Sequence, residues 1–312
     1  MINEPTFSCV LCNGNKAELI VRETDGRTIV RCCDCSLCCV HPFPSEEALN
    51  RIYQEANYFE AHPGTQIGYS TYQVGPLIAS KVEQDRLRDL ARLHPQRGTL
   101  LDVGCAFGRF LLLAGKAGWQ PLGVELSAPA AKIARESGLE VIGGTLQTAD
   151  LPDASVDAVT LWEVIEHVRS PLDELGQIAR ILKPGGVIAL STPNAASLRA
   201  RQEGPDWYGY HVSREHLLFF TPKTLASALK SAGFYVSRIR TRKVDPSFRR
   251  MLGKSATVTT TSPQCHPGLS NPSPVLQSAP IQALIRLREI ALRPLEMAGL
   301  GHTLEVYAVK AG

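Results

Sequence analysis

The sequence predicts an α/β fold with a doubly wound, mostly parallel sheet, preceded by a small cysteine-rich unit of zinc-ribbon type. Three observations carry this. Beyond Thr99, short apolar runs bounded by turns alternate with stretches of helical period, the signature of right-handed strand–helix–strand crossovers. The first such run ends in the turn Gly104-Cys105-Ala106-Phe107-Gly108, which opens a helix. And seven of the nine cysteines lie between Cys9 and Cys39.

Taken in order, residues 1–44 read as loop-like and end in the turn-rich His41-Pro42-Phe43-Pro44. Ser45 is placed to cap a short helix reaching about Ala56, with Glu46 and Glu47 in its first turn. Residues 58–75 carry Gly, Pro and several Tyr and read as a connection. Ile78, Val82, Leu87, Leu90 and Leu93 recur at helical spacing, which predicts an amphipathic helix over 77–93. Strands are expected at 99–103, 120–124, 140–142, 158–162 and 187–191, with helices near 107–117, 129–137 and 172–182. A further helix at 225–232 and closing strands at 235–239 and 304–309 complete the pattern. Ser, Thr and Pro dominate residues 255–280, which predicts a mobile insertion, and 281–297 returns to helical period. The expected organisation is a leader over 1–44, a helical linker over 45–98 and the α/β domain over 99–312.

Composition narrows the classes. Hydrophobic residues at 44% and charged residues at 20% exclude a largely disordered chain. A net charge of +3 neither demands nucleic acid nor excludes it. No apolar run approaches the roughly 20 residues of a membrane span, and Met1–Glu4 has no basic stretch leading into an apolar core. A reducing cytoplasm is the expected compartment, where clustered cysteines bind metal more often than they pair. Oligomeric state is not legible.

Cys9-Val10-Leu11-Cys12 and Cys32-Cys33-Asp34-Cys35 stand 19 residues apart, a C-x2-C-x19-C-x2-C pattern. Two such knuckles can present four thiolates tetrahedrally, as structural zinc requires. Cys9, Cys12, Cys32 and Cys35 are the expected ligands; the competing set pairs Cys35–Cys38 with Cys9–Cys12. Cys38 and Cys39 sit in a strand-like run after Leu37 and read as small apolar side chains.

A glycine turn after a strand lets the backbone approach a ligand at a helix N-terminus. Glu125, at the end of the second strand and 23 residues after Asp102, is placed to accept from both ribose hydroxyls. The glycine pattern is not G-x-G-x-x-G, and Asp102 precedes the first glycine. Both points argue against a nicotinamide dinucleotide, and a carboxylate at Asp102 can meet a cationic or amino group of a ligand.

Six motifs in order carry a resemblance: Leu101 to Gly108, Val124-Glu125-Leu126-Ser127, Asp157-Ala158-Val159, Trp162-Glu163-Val164-Ile165-Glu166-His167-Val168, Leu182-Lys183-Pro184-Gly185-Gly186 and Ser191-Thr192-Pro193-Asn194. The chain resembles the class I S-adenosylmethionine-dependent methyltransferases, most of all the branch that includes ubiquinone-biosynthesis O-methyltransferases. It departs from the pattern at Ala106, where many members carry a third glycine. The resemblance implies that Gly104, Cys105 and Gly108 pass the methionine part of the cofactor, with Asp102 near its amino end. It implies that Glu125 holds the ribose, Thr145 and Leu146 lie beside the adenine, and Trp162 and Glu163 line the pocket. The run Arg31-Cys32-Cys33-Asp34-Cys35-Ser36-Leu37, followed by Pro42-Phe43-Pro44-Ser45, is similar to the zinc-binding leader of some natural-product and sugar methyltransferases. There the leader is structural or shapes the substrate site.

Glu163, Glu166 and His167 form E-x-x-E-H after the fourth strand, at spacings that share a helix face. With His216 downstream, two carboxylates and two histidines offer either a general base or a site for a second divalent ion such as Mg2+. The same E-x-x-E-H resembles metal-dependent 2′-O-methyltransferases that act on small-RNA ends. The expected chemistry is O-methylation of a small molecule of natural-product, quinol or sugar type. Trp207, Tyr208 and Tyr210 beside His211 read either as an aromatic acceptor pocket or as a packed lid. The rivals are an RNA methyltransferase and a non-enzymatic zinc-binding interaction protein. Arg238, Arg240 and Arg242 alternate along a strand and read as one solvated face, short of a nucleic-acid footprint.

Overall fold

The computed structural model describes residues 7–23, 26–54, 79–211, 214–244 and 291–311. The expected connection at 58–75, Ile78, the insertion at 255–280 and the first part of the last helix lie outside these; residues 291–297 are helical.

The parallel core consists of β4 (Gly98–Val103), β5 (Trp119–Glu125), β6 (Glu140–Gly143), β7 (Val156–Trp162) and β8 (Leu182–Pro193). It closes with β10 (Phe234–Arg242) and β11 (Thr303–Lys310). The strand order is β10-β11-β8-β7-β4-β5-β6, and β11 runs antiparallel to both of its neighbours. Neighbouring residues along a strand serve opposite faces. Leu101, Val159 and Leu190 face one apolar cluster, while Leu100, Ala158 and Ala189 face the other. The second face is covered by α2 (Lys81–Leu93), α3 (Arg109–Lys116) and α4 (Ala128–Glu136) through Leu90, Leu111, Ala114, Ala131 and Ala134. The first is covered by α5 (Pro171–Ile181) and α8 (Pro222–Ser231) through Leu175, Ile178, Leu225 and Leu229. Covering both faces buries β7 from Val156 to Leu161, as expected of a central parallel strand.

The loop-like reading of residues 1–44 is corrected. β1 (Ala17–Arg22) and β2 (Thr28–Cys32) form an antiparallel hairpin, and β3 (Cys38–Val40) pairs with β2. A fourth strand, β9 (Leu218–Phe219), comes from the other end of the chain and pairs with β3 at Cys38↔Phe219. Cys9, Leu11, Val30, Cys32 and Leu37 share one core with Leu217, Leu218 and Phe220. The short helix after Ser45 is α1 (Glu46–Gln54), with Ala48 N–H donating to Ser45 Oγ at 3.2 Å.

The solvated-arginine reading is corrected as well. Glu305 of β11 is buried and accepts from Arg240 Nε at 2.7 Å, Arg242 Nε at 2.8 Å and Arg86 Nε at 2.9 Å. Arg240 and Arg238 also pair with Asp89, and Arg242 with Asp85. Strand alternation does put these arginines on one face, but α2 lies across that face and supplies the carboxylates.

Candidate functional site

The cleft opens where β4 ends, at the carboxyl ends of the parallel strands, the place where open α/β sheets bind ligands. Gly104 has φ of +70°, and a Cβ added there would lie 2.7 Å from Val164 Cγ2. Gly108, φ +76°, is the N-cap of α3. Ala106 also adopts a left-handed backbone, φ +49°, which costs an L-residue about 1–2 kcal/mol. Its N–H donates to Glu125 Oε2 at 2.8 Å, while Ser127 N–H donates to Glu125 Oε1 at 2.7 Å. Glu125 therefore holds both the glycine turn and the start of α4 in place. Burial pushes its carboxyl above the usual range, against these amide donors.

Asp102 is buried, and burial pushes its carboxyl up to about 7, opposed by the Thr160 hydroxyl that donates to Oδ1 at 2.5 Å. Across the cleft, Arg86 stacks 3.9 Å above the Trp162 ring, whose buried Nε1 has no partner among the described residues. Glu83, Arg86 and Arg109 line this cleft with Asp102, Gly104 and Trp162, and Arg109 Nε donates to Glu83 Oε1 at 2.9 Å. Sequence reading missed these three: nothing local says that α2, with Glu83 and Arg86, folds over the end of β4 to meet Arg109 at the start of α3.

The other expected cofactor residues are Cys105, Thr145 and Leu146. Cys105 is buried, and a Cβ on Gly123 of β5 would lie 2.7 Å from its Sγ, so its thiol points into the sheet. Thr145 closes a turn with Thr148 after β6, next to Glu125, whose C=O accepts from Gly144 N–H. Leu146 buries its side chain in the core.

The expected convergence of Glu163, Glu166 and His167 on one helix face is corrected. Glu163 has φ of +59°, and only Ile165–His167 forms a 3-10 turn. The Glu163 carboxylate accepts from Ser191 Oγ at 2.7 Å, and Ser191 Oγ in turn accepts from Arg86 at 3.1 Å. It belongs to the cleft wall. Glu166 turns the other way, and its ligand atom gathers with those of His167 and His216 within 4.8 Å. Both imidazoles stand 4.8 Å apart, edge to face. Glu166 is 1% exposed; neither of its carboxylate oxygens makes a hydrogen bond of ordinary geometry among the described residues, and the Thr192 hydroxyl and its own backbone amide only partly oppose the effect of burial. Burial, reinforced by the Glu163 charge, holds its carboxyl well above the usual range. Burial pushes His167 down to about 4 and His216 to about 3, the latter also through His167. Both rings are therefore neutral near pH 7.

His216 reaches this cluster because the chain around it is clamped on both sides. Leu217 N–H donates to Glu166 O at 2.9 Å, and Val40 N–H donates to Leu217 O at 2.9 Å. The aromatic reading resolves toward packing: Trp207 and Tyr210 are buried against Phe219, with the Tyr210 hydroxyl donating to Cys38 Sγ at 3.8 Å. His211 lies apart, with Glu23 as its partner.

In the leader, the ligand atoms of Cys9, Cys12, Cys32 and Cys35 all lie within 4.8 Å of one another. Cross-knuckle sulfurs approach to 3.5 Å, Cys9 to Cys35 and Cys12 to Cys32. Each knuckle closes with a left-handed residue, Asn13 or Ser36, whose N–H returns to the carbonyl of Cys9 or Cys32. Cys38 faces Tyr210 instead, which leaves the competing ligand set divided. Four thiolates suit a closed tetrahedral site.

Comparison with known proteins fits this geometry. A family model described as a methyltransferase domain matches residues 78–239. The ubiquinone biosynthesis O-methyltransferase of Xanthomonas axonopodis pv. citri is 32% identical over 171 residues, covering 50% of this chain and 70% of that protein. The ubiquinone biosynthesis O-methyltransferase of Paracidovorax citrulli is 30% identical over 179 residues, covering 53% and 75%. Among solved structures, the Haemonchus contortus phosphoethanolamine N-methyltransferase 2 complex with S-adenosyl-L-methionine superposes with a TM-score of 0.53 at 18% identity. That match covers 88% of this chain and 63% of the other, and it speaks for the fold alone. Since the family match runs from the start of α2 across the whole parallel core and into β10, this chain belongs to the class I S-adenosylmethionine-dependent methyltransferases.

Proposed function

We propose that this methyltransferase O-methylates a small molecule bearing a hydroxyl, of natural-product, quinol or sugar type, in the cytoplasm. The observation that carries the reading is a pair of neutral, half-buried imidazoles, His167 and His216, stacked edge to face just beyond the C-terminal end of β7, which also supplies Trp162 to the cleft. The names of the curated relatives support oxygen as the acceptor atom and a quinol-like ring.

Asp102 would receive the cofactor's amino group, since a cation beside a buried carboxyl restores its charge. Gly104 and Gly108 would let the backbone approach, Glu125 would take the ribose hydroxyls, and Trp162 with Arg86 would close the cleft. Bound S-adenosylmethionine supplies an electrophilic methyl, so the chain must position the acceptor and take one proton. His216 or His167 is that base. Glu163 shapes the cleft wall through Ser191 and Arg86. Cys9, Cys12, Cys32 and Cys35 hold a structural zinc in a leader that braces the His216 strand.

One observation favours a second version: the bare Glu166 carboxylate beside two imidazoles suits a divalent ion. There the metal would acidify the acceptor hydroxyl in place of a base. A methyl-transfer screen over catechols, quinols, sugars and RNA, run with and without chelator, tests both. Transfer to a hydroxyl that withstands chelation supports the base, and chelator-sensitive transfer supports the metal. Transfer to RNA alone, or to nitrogen or carbon, overturns the reading.

A further inference from the structure

Helix α1 precedes the stretch matched by the methyltransferase model, yet one of its side chains reaches the histidine pair. The Tyr53 hydroxyl lies 3.0 Å from His167 Nδ1, and the two rings meet at 6.2 Å and 65°. The contact is held by its surroundings. Leu49, one turn earlier on α1, is buried in the core shared by leader and sheet. Arg169, two residues beyond His167, donates to Pro44 O at 2.9 Å, just ahead of α1. The chain is thus tied to the His167 loop at both Pro44 and Tyr53.

An imidazole ring has two freedoms that matter to a proton acceptor. Its χ2 torsion is broad and roughly two-fold, so a half-turn exchanges nitrogens for carbons. Its single ring proton can sit on either nitrogen, and the partner of one nitrogen decides what the other offers. A partner at Nδ1 restricts both freedoms. It opposes the half-turn that would carry Nε2 away from Glu166, now 4.0 Å from it, and by accepting the Nδ1 proton it favours the tautomer that keeps the Nε2 lone pair, alongside the backbone of Glu163 and Glu215 that also bonds the ring.

We infer that Tyr53 is a positioning residue for methyl transfer: its hydroxyl fixes the orientation and tautomer of His167 and so aligns the His167–His216 pair toward the acceptor. The inference rests on the proposed role of that pair. It also makes the segment before the methyltransferase core a contributor to the active site.

The test uses the full chain and Tyr53→Phe, which keeps the ring and removes only the hydroxyl. With histidine ring nitrogens labelled, long-range nitrogen–proton NMR reads the His167 tautomer, assigned by loss of its signals in His167→Ala. One neutral tautomer is expected in the unmodified chain and a mixture in Tyr53→Phe. With 4-nitrocatechol as acceptor, kcat should fall about tenfold or more with KM and cofactor affinity unchanged. A merely structural role would instead lower the melting temperature and leave the tautomer alone. An unchanged tautomer overturns the inference whatever the activity, and so does a changed tautomer with unchanged kcat. Full activity in both His167→Ala and His216→Ala overturns the base reading separately. The NMR comparison still decides whether Tyr53 sets the ring.

Discussion

Single residues on the two sides of the cleft carry opposite electrostatic tasks. Asp102 titrates near neutrality because it is buried. A bound ammonium would pull that value down, so binding near pH 7 releases a proton from Asp102. Cofactor affinity should therefore rise with pH as it passes through about 7, and Asp102→Asn should flatten the dependence while weakening binding. Calorimetric titration in buffers of different protonation enthalpy reads both; proton uptake on binding would contradict the assignment. The histidines behave in the reverse way. Their depressed values leave them unprotonated at any pH above about 4, so the base form is lost only on strong acidification. The acid limb of kcat/KM should fall below about pH 5, well under the 6.5 of an ordinary histidine. A limb near pH 6.5 would mean that neither His167 nor His216 is the base.

At the scale of elements, the telling case is α2. Its period was legible but its start was not: the apolar spacing began the helix at 77, whereas it begins at Lys81 behind a reciprocal cap, with Glu83 N–H donating to Ser80 Oγ and Ser80 N–H to Glu83 Oε2. Nor was its partner. Arg86 of α2 converges on Glu305 with Arg240 and Arg242, and in one dimension the alternation of Arg238, Arg240 and Arg242 looked like a wet face. Burial of the shared carboxylate makes that cluster sensitive to loss of its centre. Glu305→Ala would leave three guanidinium groups around an empty, desolvated position. Removing one partner of a buried pair costs about 3–5 kcal/mol, and denaturant unfolding should show a loss of that order. A loss below about 1 kcal/mol would mean that the pairs behave as exposed ones do. The β1–β2 hairpin was a miss of a different kind. Leu19-Ile20-Val21 and Thr28-Ile29-Val30 flank Asp25-Gly26, a usable hairpin signal that the density of cysteines drew attention away from.

For the whole molecule, the leader and the α/β core form one packed body joined by the β3–β9 pairing and a shared core. The leader's state should therefore be felt at His216, whose neighbour Leu217 bonds both Val40 and Glu166. Cys9→Ser should remove zinc, lower the melting temperature and depress methyl transfer by more than it weakens cofactor binding. The residues proposed for the cofactor sit on β4, β5 and β7 and in the turns after β4 and β6, in a different sheet from the leader strands. Metal analysis with paired activity and calorimetric measurements checks this; zinc content unchanged in Cys9→Ser would remove the cysteine site.

What the sequence determined by itself was whatever depends on neighbours along the chain. Strand–helix alternation, the glycine turn after β4, the acidic end of β5 and the two cysteine knuckles each occupy a few consecutive residues, and local period and spacing identify them. Tertiary structure decided what depends on contacts between distant segments. It sent Glu163 and Glu166 to different sites, because a left-handed backbone at Glu163 broke the helical spacing that would have joined them. It brought His216, some 50 residues on, against His167, and it laid Tyr53 of α1 on the same ring. It drew Arg240 and Arg242 into an ion cluster around the buried Glu305 by laying α2 over them, while Arg238 keeps an exposed side chain paired with Asp89. Burial supplied the shifted acidities of Asp102 and of the histidines. No one-dimensional pattern encodes burial, because it is a property of everything that packs around a residue.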